Sequence, residues 1–341
     1  MKPRVLLNGV GRIGKAILRI MLDDDSLEIV AINEINPNIK SIAYSINYDS
    51  TYGALKQKFI VEENAIVHNN NNKKIAILNH DALQDIDMQD IDIVIDASGS
   101  RVVKEELLSL DVKAIFLTHP YKDADINLIL GVNEEQLSLG KHKVISTSSC
   151  NATALLPIVK LIDDTYGIEC GDITTIHPLL NHQRVLDSGC IGSVDRGVEC
   201  NLEFGRSATQ NIIPSKTTTI EACSYLLPHI NSQRVSSNSL RVPTSTVGAI
   251  SVTLLLQRST TKDALLALCS DYAKSQKFDI LLNNYEALVS SDFQSQRYTT
   301  ILDHRFTDLK MGKMLKLLVW YDNEWGYATK VVDIVNELGI K

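Results

Sequence analysis

Apolar and polar positions fall into repeating blocks along the first half of the chain. Arg4-Val5-Leu6-Leu7 is a short apolar run, the stretch Asn8 to Gly14 interrupts it, and apolar residues then recur at helical spacing to about Met21. The pattern predicts a strand, a tight turn and an amphipathic helix. Leu27 to Ile32 predicts a second strand, Ile91 to Asp96 a third, Val103 to Leu110 a helix and Lys113 to Leu117 a further strand. Ile126 to Leu130 and Lys143 to Ile145 continue the series. Alternation of this kind implies a mostly parallel α/β sheet with helices on both faces. The polar tract His68 to Lys74 lies between two short apolar stretches and predicts a long hairpin turn without chemistry of its own.

The texture changes in the second half. Small polar residues, Ser148-Ser149, lead to Cys150, and an apolar helical stretch from Ala154 to Tyr166 ends at Gly167. Asp172 to Ile176 predicts a strand that ends at His177-Pro178. Ile250, Val252, Leu254 and Leu256 mark one face of another strand. Met314 to Trp320 predicts a partner for Thr299 to Phe306 across Lys310-Met311-Gly312-Lys313. A helix at about Thr261 to Lys274 covers one face, giving an α+β domain with a mainly antiparallel sheet. An amphipathic helix, about Tyr327 to Leu338, closes the chain.

Composition narrows the class. The chain has 341 residues, enough for two domains, and 44% hydrophobic with 22% charged residues is ordinary for a soluble globular protein. A net charge of −7 argues against a broad nucleic-acid surface. No uninterrupted apolar run reaches membrane-spanning length, and Met1-Lys2-Pro3-Arg4 does not read as a signal peptide. Six cysteines, at 150, 170, 190, 200, 223 and 269, include no C-x-x-C pair. That argues against a zinc site or a disulfide framework and fits a cytoplasmic location.

Candidate chemistry lies at two places. Gly9-Val-Gly11-Arg12-Ile13-Gly14 is G-x-G-x-x-G between a strand and a helix, a dinucleotide fingerprint of the Rossmann type. Gly9 serves the tight turn, Gly11 the approach of a pyrophosphate, and Gly14 close packing of helix on strand. Glu34 follows 20 residues after Gly14, where an acid takes the adenine ribose hydroxyls and favours NAD over NADP. Ser98, Gly99 and Thr118 fall at strand ends, where such sheets bind ligands. Cys150 begins a helix, a position that favours thiolate. Proline holds His177 extended at a strand end. A dinucleotide, a cysteine and a histidine together suggest oxidation of an aldehyde through a thioester.

Eight stretches then resemble the glyceraldehyde-3-phosphate dehydrogenase superfamily, in order and over essentially the whole chain. They are Asn8 to Gly14, Ala31 to Glu34, Tyr48 to Thr51, Ser149-Cys150, Thr174 to His177, Gln210 to Pro214, Arg241 to Thr244 and Trp320 to Tyr327. The resemblance implies Cys150 as nucleophile and His177 as base. It implies Asn323, with Tyr327 nearby, at the nicotinamide carboxamide of NAD, and Ser98-Gly99 along the cofactor. It gives Arg206 and Arg241 to anion and substrate phosphate, and Thr217 and Ser149 to inorganic phosphate. It further implies a homotetramer. Its domains run over 1–149 for NAD binding and 150–322 for catalysis, with 323–341 as a helix that returns to the first.

Several positions depart from the family pattern. Asn151 follows the nucleophile where a phosphate-contacting threonine is usual. Leu180 replaces a hydroxyl donor three residues past His177, with His182 a substitute for a second. No glycine follows Thr217, and His177 and Arg206 are 29 positions apart, more than the family norm. Ala31-Ile-Asn-Glu34, Lys160 to Ile168, Gly131-Val-Asn133 and Asn323 to Gly326 are similar to the sister erythrose-4-phosphate dehydrogenases, whose thioester is released by water. Phosphorylating oxidation of glyceraldehyde 3-phosphate leads. Hydrolytic oxidation of erythrose 4-phosphate is the alternative, and an NAD-binding sensor with little catalysis is a third reading.

Overall fold

The computed structural model describes residues 2–24, 26–70, 72–138, 140–189 and 202–338. Two compact units emerge. The first comprises Met1–Leu128, Glu134–Ser148 and Ala328–Lys341, and the second Ile129–Asn133 and Ser149–Tyr327. The last helix, α7 (Trp325–Leu338), begins in the second unit and continues in the first.

In the first unit, β1 (Arg4–Asn8) leads through α1 (Arg12–Leu22) to β2 (Glu28–Asn33), and α2 (Ile39–Asn47) and α3 (Lys104–Ser109) follow later in the chain. Seven more strands join them: β3 (Phe59–Glu62), β4 (Ala65–His68), β5 (Lys74–Leu78), β6 (Ile93–Asp96), β7 (Ala114–Leu117), β8 (Ile126–Asn127) and β9 (Val144–Ser146). Their order across the sheet is β8-β9-β7-β6-β1-β2-β5-β4-β3. Every pair is parallel except β4 with β5 and β3 with β4. The polar tract after His68 is indeed the turn between antiparallel β4 and β5, with Asn72 at φ 53°. Central strands β6 and β7 are buried at every position, which is why they read as continuous apolar runs rather than alternations. The chain builds from β1 to β2 on one side and to β6 on the other. A crevice therefore opens at the carboxyl ends of β1 and β6, the place where open α/β sheets bind ligands.

The second unit is built on α4 (Cys150–Tyr166), which the chain enters from Ser149. The Ser149 hydroxyl accepts from the Ala152 N–H and caps the helix, and Gly167 ends it at φ 71°. Pro157 removes one internal hydrogen bond, a loss of about 3 kcal/mol in a helix interior. Burial outweighs it: Leu155, Leu156, Ile158, Val159 and Ile162 are at most 2% exposed, and a fully buried aliphatic side chain contributes roughly 1.5–3 kcal/mol.

These residues pack with α5 (Thr219–Ser224) and α6 (Lys262–Ser275) on an eight-stranded sheet. Its strands are β10 (Ile168–His177), β11 (Ile213–Ser215), β12 (Val235–Arg241), β13 (Gly248–Leu256), β14 (Leu281–Asn284), β15 (Thr300–Asp303), β16 (Asp308–Lys310) and β17 (Met314–Tyr321). The order is β11-β12-β10-β13-β17-β15-β14, with β16 on β17. Antiparallel pairs dominate, but β10–β12 and β14–β15 run parallel. The predicted turn at Met311-Gly312 joins β16, not β15, to β17, with φ of 54° and 68°. Three residues, Met311 to Lys313, separate the paired Lys310 and Met314, and the Lys313 N–H closes a turn on the Lys310 carbonyl oxygen with positive φ at both central residues. β15 pairs with β17 as well, through Ile301–Trp320 and Leu302–Val319.

Candidate active site

The three fingerprint glycines of the first unit have separable reasons. Gly9 stands at φ 87°, and a Cβ on it would lie 2.7 Å from the Ser98 Cα. A Cβ on Gly14 would lie 2.0 Å from the Gly9 carbonyl oxygen. Gly11 is open, with nothing within 4 Å of the same position. The first and third therefore fix the turn and the helix, and the second leaves backbone approachable at the start of α1, where N–H groups favour phosphate. Gly14→Ala should force α1 off the loop. Overpacking of this kind costs roughly 1–3 kcal/mol, so urea unfolding should move to lower midpoint and NAD titration should show weaker binding; a variant unchanged in both would contradict the packing role.

Glu34 closes the loop from β2. One carboxylate oxygen accepts from the Val10 N–H at 3.0 Å and the other from the Asn36 N–H at 3.2 Å. Arg12 and Lys15 both bond to Asp49, Lys15 at 3.0 Å. Burial works against the Asp49 charge, yet N–H groups of Tyr52 and Thr51 and the Lys15 ammonium hold its carboxyl well below the usual range. Ile13 is half-buried beside the approachable backbone. Ser98 donates from its N–H and hydroxyl to Asp96, Asn8 donates to the same oxygen, and Asn33 donates to Asn8. Thr118 donates to the Asp96 carbonyl oxygen at 3.0 Å, and Gly99 turns away at φ 66°. A cavity of about 120 Å³ opens beside this network, lined in part by Asn33, Ile35, Ala82, Ser98, Arg101 and Val102. The open backbone at Gly11 suits the phosphates of a dinucleotide.

In the second unit, α4 presents Cys150 and β10 presents His177. Cys150 Sγ lies 3.8 Å from His177 Nε2. His177 Nδ1 lies 2.8 Å from the Pro178 carbonyl oxygen, which can only accept. Nδ1 therefore carries the hydrogen, and in the neutral ring Nε2 faces the thiol as an acceptor. Burial pushes the thiol up to about 11, against the pull of Arg241 and of N–H groups at the helix start. Burial likewise pushes the imidazole down to about 3, aided by Arg241. Each group taken alone is thus neutral. Charges formed together gain from each other, since opposite charges about 4 Å apart attract by about 4 kcal/mol at an effective dielectric near 20.

Arg241 ends β12 directly beside His177 in the parallel ladder. Its Nε and Nη1 are buried and meet no hydrogen-bond acceptor among the described residues. Burial lowers its pKa, with Tyr321 and Cys150 acting in the opposite direction. A half-buried arginine with unmet donors suits a ligand anion.

Around Cys150 runs a chain of polar side chains. The Tyr321 hydroxyl donates to Asn151 Oδ1 at 2.6 Å, Asn151 Nδ2 donates to Thr219 Oγ1 at 3.3 Å, and Thr219 and Thr217 hydroxyls lie 2.6 Å apart. Gly248 makes room for Tyr321: a Cβ there would lie 2.6 Å from its ring. Val247 before it holds φ 64°, a strained conformation for a β-branched residue. That conformation aims its N–H at Asn323 Oδ1 (3.1 Å), which also accepts from Thr246. With its oxygen held, Asn323 keeps an amide NH₂ to offer a carbonyl. Tyr327, two residues into α7, is buried at 3% exposure.

Other expected site residues stand differently. Ser149 Oγ accepts from the Ala152 N–H as the helix cap, a bond that does not use its hydroxyl proton. Asn151 is bonded on both sides by protein, so it does not stand in for a threonine hydroxyl directed at phosphate. Arg206 pairs with Asp187 at 2.9 Å, both exposed, so an anion there would compete with a carboxylate. His182 is exposed and rests against Phe204, with ring centroids 5.7 Å apart. Cys190, Cys200 and most of the extra residues between His177 and Arg206 lie outside the described residues. Thr219, Tyr321, Asp96 and Asp49 take part without having been singled out. Their signals were polar residues closing apolar strands, and a third consecutive threonine where the family pattern changes.

A dinucleotide loop in one unit and a thiol–imidazole pair in the other define an NAD-dependent oxidoreductase. Comparison with known proteins makes the class specific. Residues 3–104 match the family described as glyceraldehyde 3-phosphate dehydrogenase, NAD binding domain, and residues 149–323 match its C-terminal domain. The chain is 31% identical to glyceraldehyde-3-phosphate dehydrogenase 2 of Bacillus subtilis (strain 168), over 100% of the chain and 98% of that protein. It is 33% identical to glyceraldehyde-3-phosphate dehydrogenase of Streptomyces coelicolor, over 99% of each, and 35% identical to that of Ogataea parapolymorpha, over 99% and 98%. The chain belongs to the glyceraldehyde-3-phosphate dehydrogenase family.

Proposed function

We propose that this chain oxidises a short phosphorylated aldose, glyceraldehyde 3-phosphate in the first place, and passes the acyl group to inorganic phosphate. The observation that carries the reading is Arg241: a half-buried arginine next to the thiol–imidazole pair, whose Nε and Nη1 meet no acceptor among the described residues, suits a substrate that brings its own phosphate. Thr217, half-buried with its hydroxyl at the edge of the polar chain, suits the second phosphate. The comparisons support the reading through the names of the relatives, all glyceraldehyde-3-phosphate dehydrogenases.

In this proposal Cys150 sulfur attacks the aldehyde carbon while the thiol proton passes to His177 Nε2 and on to the carbonyl oxygen, giving a hemithioacetal. NAD, held by the glycine loop and Glu34, supplies the hydride acceptor. His177 takes the hydroxyl proton as the C–H bond breaks, leaving a thioester on Cys150. Pro178 holds the imidazole in the tautomer this requires. Phosphate then displaces the sulfur. A homotetramer and a cytoplasmic location are parts of the same proposal.

Two observations favour a second reading, in which water releases the acyl group from erythrose 4-phosphate. Leu180 offers no side-chain donor, and Asn151 is bonded to Tyr321 and Thr219. NADH formation from each sugar, with and without inorganic phosphate, separates the two. Phosphate-dependent turnover of glyceraldehyde 3-phosphate is expected. Turnover that ignores phosphate would sink the first reading, and failure to oxidise erythrose 4-phosphate would sink the second.

A further inference from the structure

We infer that Thr219, together with Asn151, is a positioning residue for the acyl-acceptor anion: a one-way hydrogen-bond chain from Tyr321 sets the Thr217 hydroxyl as an outward donor. The inference rests on the phosphorylating reading above and adds to it the residues that make the acceptor site directional.

The direction follows from donor and acceptor chemistry. A carbonyl oxygen only accepts, so the Tyr321 phenol must give its proton to Asn151 Oδ1, 2.6 Å away. That fixes the Asn151 amide with Nδ2 toward Thr219 Oγ1, at 3.3 Å. An amide nitrogen only donates, so Thr219 Oγ1 accepts there. Thr219 is 2% exposed, and its side chain bonds only Asn151 and Thr217 among the described residues. Its own proton therefore has one acceptor, Thr217 Oγ1, at 2.6 Å. Thr217 Oγ1 also receives the Thr219 backbone N–H at 3.2 Å. Both its lone pairs are then filled from the protein side. Its proton is the one group left over, and Thr217 is half-buried, with room for an outside partner.

Each link polarises the next, so a donor at the end of such a chain is stronger than an isolated hydroxyl. An anion that meets it is bound and turned. In the transfer step a phosphate oxygen attacks the thioester carbon. The C–O bond forms, the C–S bond breaks with its electron pair on Cys150 sulfur, and the proton of the attacking oxygen passes to that sulfur. The chain touches this step only through Thr217. Cys150 itself lies 3.7 Å from Asn151 Oδ1, which places the start of the chain beside the nucleophile. A threonine after the cysteine would offer its own hydroxyl, whereas this chain routes the donor through Asn151 and Thr219.

The test uses the full-length enzyme with NAD, glyceraldehyde 3-phosphate and inorganic phosphate as the varied probe. A hydrogen bond to a charged partner, once its orientation is lost, weakens binding by roughly tenfold or more. Thr219→Ala should therefore raise KM for inorganic phosphate by about tenfold or more, while the rate of the first-turnover NADH burst, which needs no acceptor, stays near that of the parent. Thr219→Ser, which keeps the hydroxyl, should restore the phosphate KM. An unchanged KM in Thr219→Ala, equal losses of burst and steady-state rates, or failure of the serine to rescue would overturn the inference while the reading above stands. Phosphate-independent turnover by the parent enzyme would overturn both.

Discussion

Cys150→Ala should form no measurable NADH from any aldehyde, a loss of about 10⁴-fold or more, because removal of the proposed nucleophile abolishes the covalent route rather than slowing it. NAD binding should be unchanged. The expected selectivity comes from local structure. Alanine keeps the Cβ and starts a helix at least as well as cysteine does. The Ser149 cap on Ala152 does not involve the sulfur. The contacts that fix α4 belong to Leu155, Leu156 and Ile162, which lie in a buried cluster with β10 and β13 residues. The fingerprint glycines and Glu34 belong to the other unit and should be unaffected. No other described cysteine is positioned to compensate. Cys223 and Cys269 are buried, and burial raises both thiols, Cys269 to about 12. Cys170 is exposed near the start of β10, seven positions from His177. Isothermal titration with NAD and a steady-state assay would decide the matter. Turnover near that of the parent enzyme would refute the assignment, and an equal loss of NAD affinity would point to a structural effect instead.

Much of this candidate site is legible in the amino-acid sequence. The glycine spacing carried its geometry because each glycine answers a steric demand: Gly9 against Ser98, Gly14 against Gly9, and Gly11 open. His177 was legible because proline fixes its predecessor, and the strand does end there. Apolar alternation in Gly248–Leu256 named the buried face correctly. What stayed hidden depends on long-range pairing, which local pattern does not encode. β12 reads as Val-Ser-Ser-Asn-Ser-Leu-Arg, too polar to announce a strand, yet it lies parallel to β10 and brings Arg241 beside His177. The resemblance supplied Arg241, but its open buried donors needed the fold. Asn151 is the sharpest case. The sequence marks it as a departure from a threonine. Only the fold reveals that its partners are Tyr321, 170 positions away, and Thr219, 68 away.

His177→Asn should slow turnover by about 10²–10⁴-fold, the usual contribution of a positioned general base. Asparagine is the informative replacement. Its amide NH₂ occupies roughly the place of Nδ1 and can still donate to the Pro178 carbonyl, so the end of β10 should keep its bond. What disappears is the acceptor at Nε2, 3.8 Å from Cys150 Sγ. With it goes the only described group in contact with the sulfur that can take a full proton, since the Asn151 amide oxygen at 3.7 Å is far too weakly basic. Without that base the thiol, already pushed up by burial, must ionise alone. The loss should therefore shrink as pH rises toward the thiol's own range, because hydroxide can then do what the imidazole did. The parent enzyme should lack such a rise, its base form being fully present above the depressed histidine pKa of about 3. A pH profile of kcat/KM for both proteins would read this directly. A loss smaller than about tenfold at neutral pH, or parallel profiles for the two proteins, would leave His177 as packing beside Tyr321, whose ring centroid lies 6.5 Å from its own.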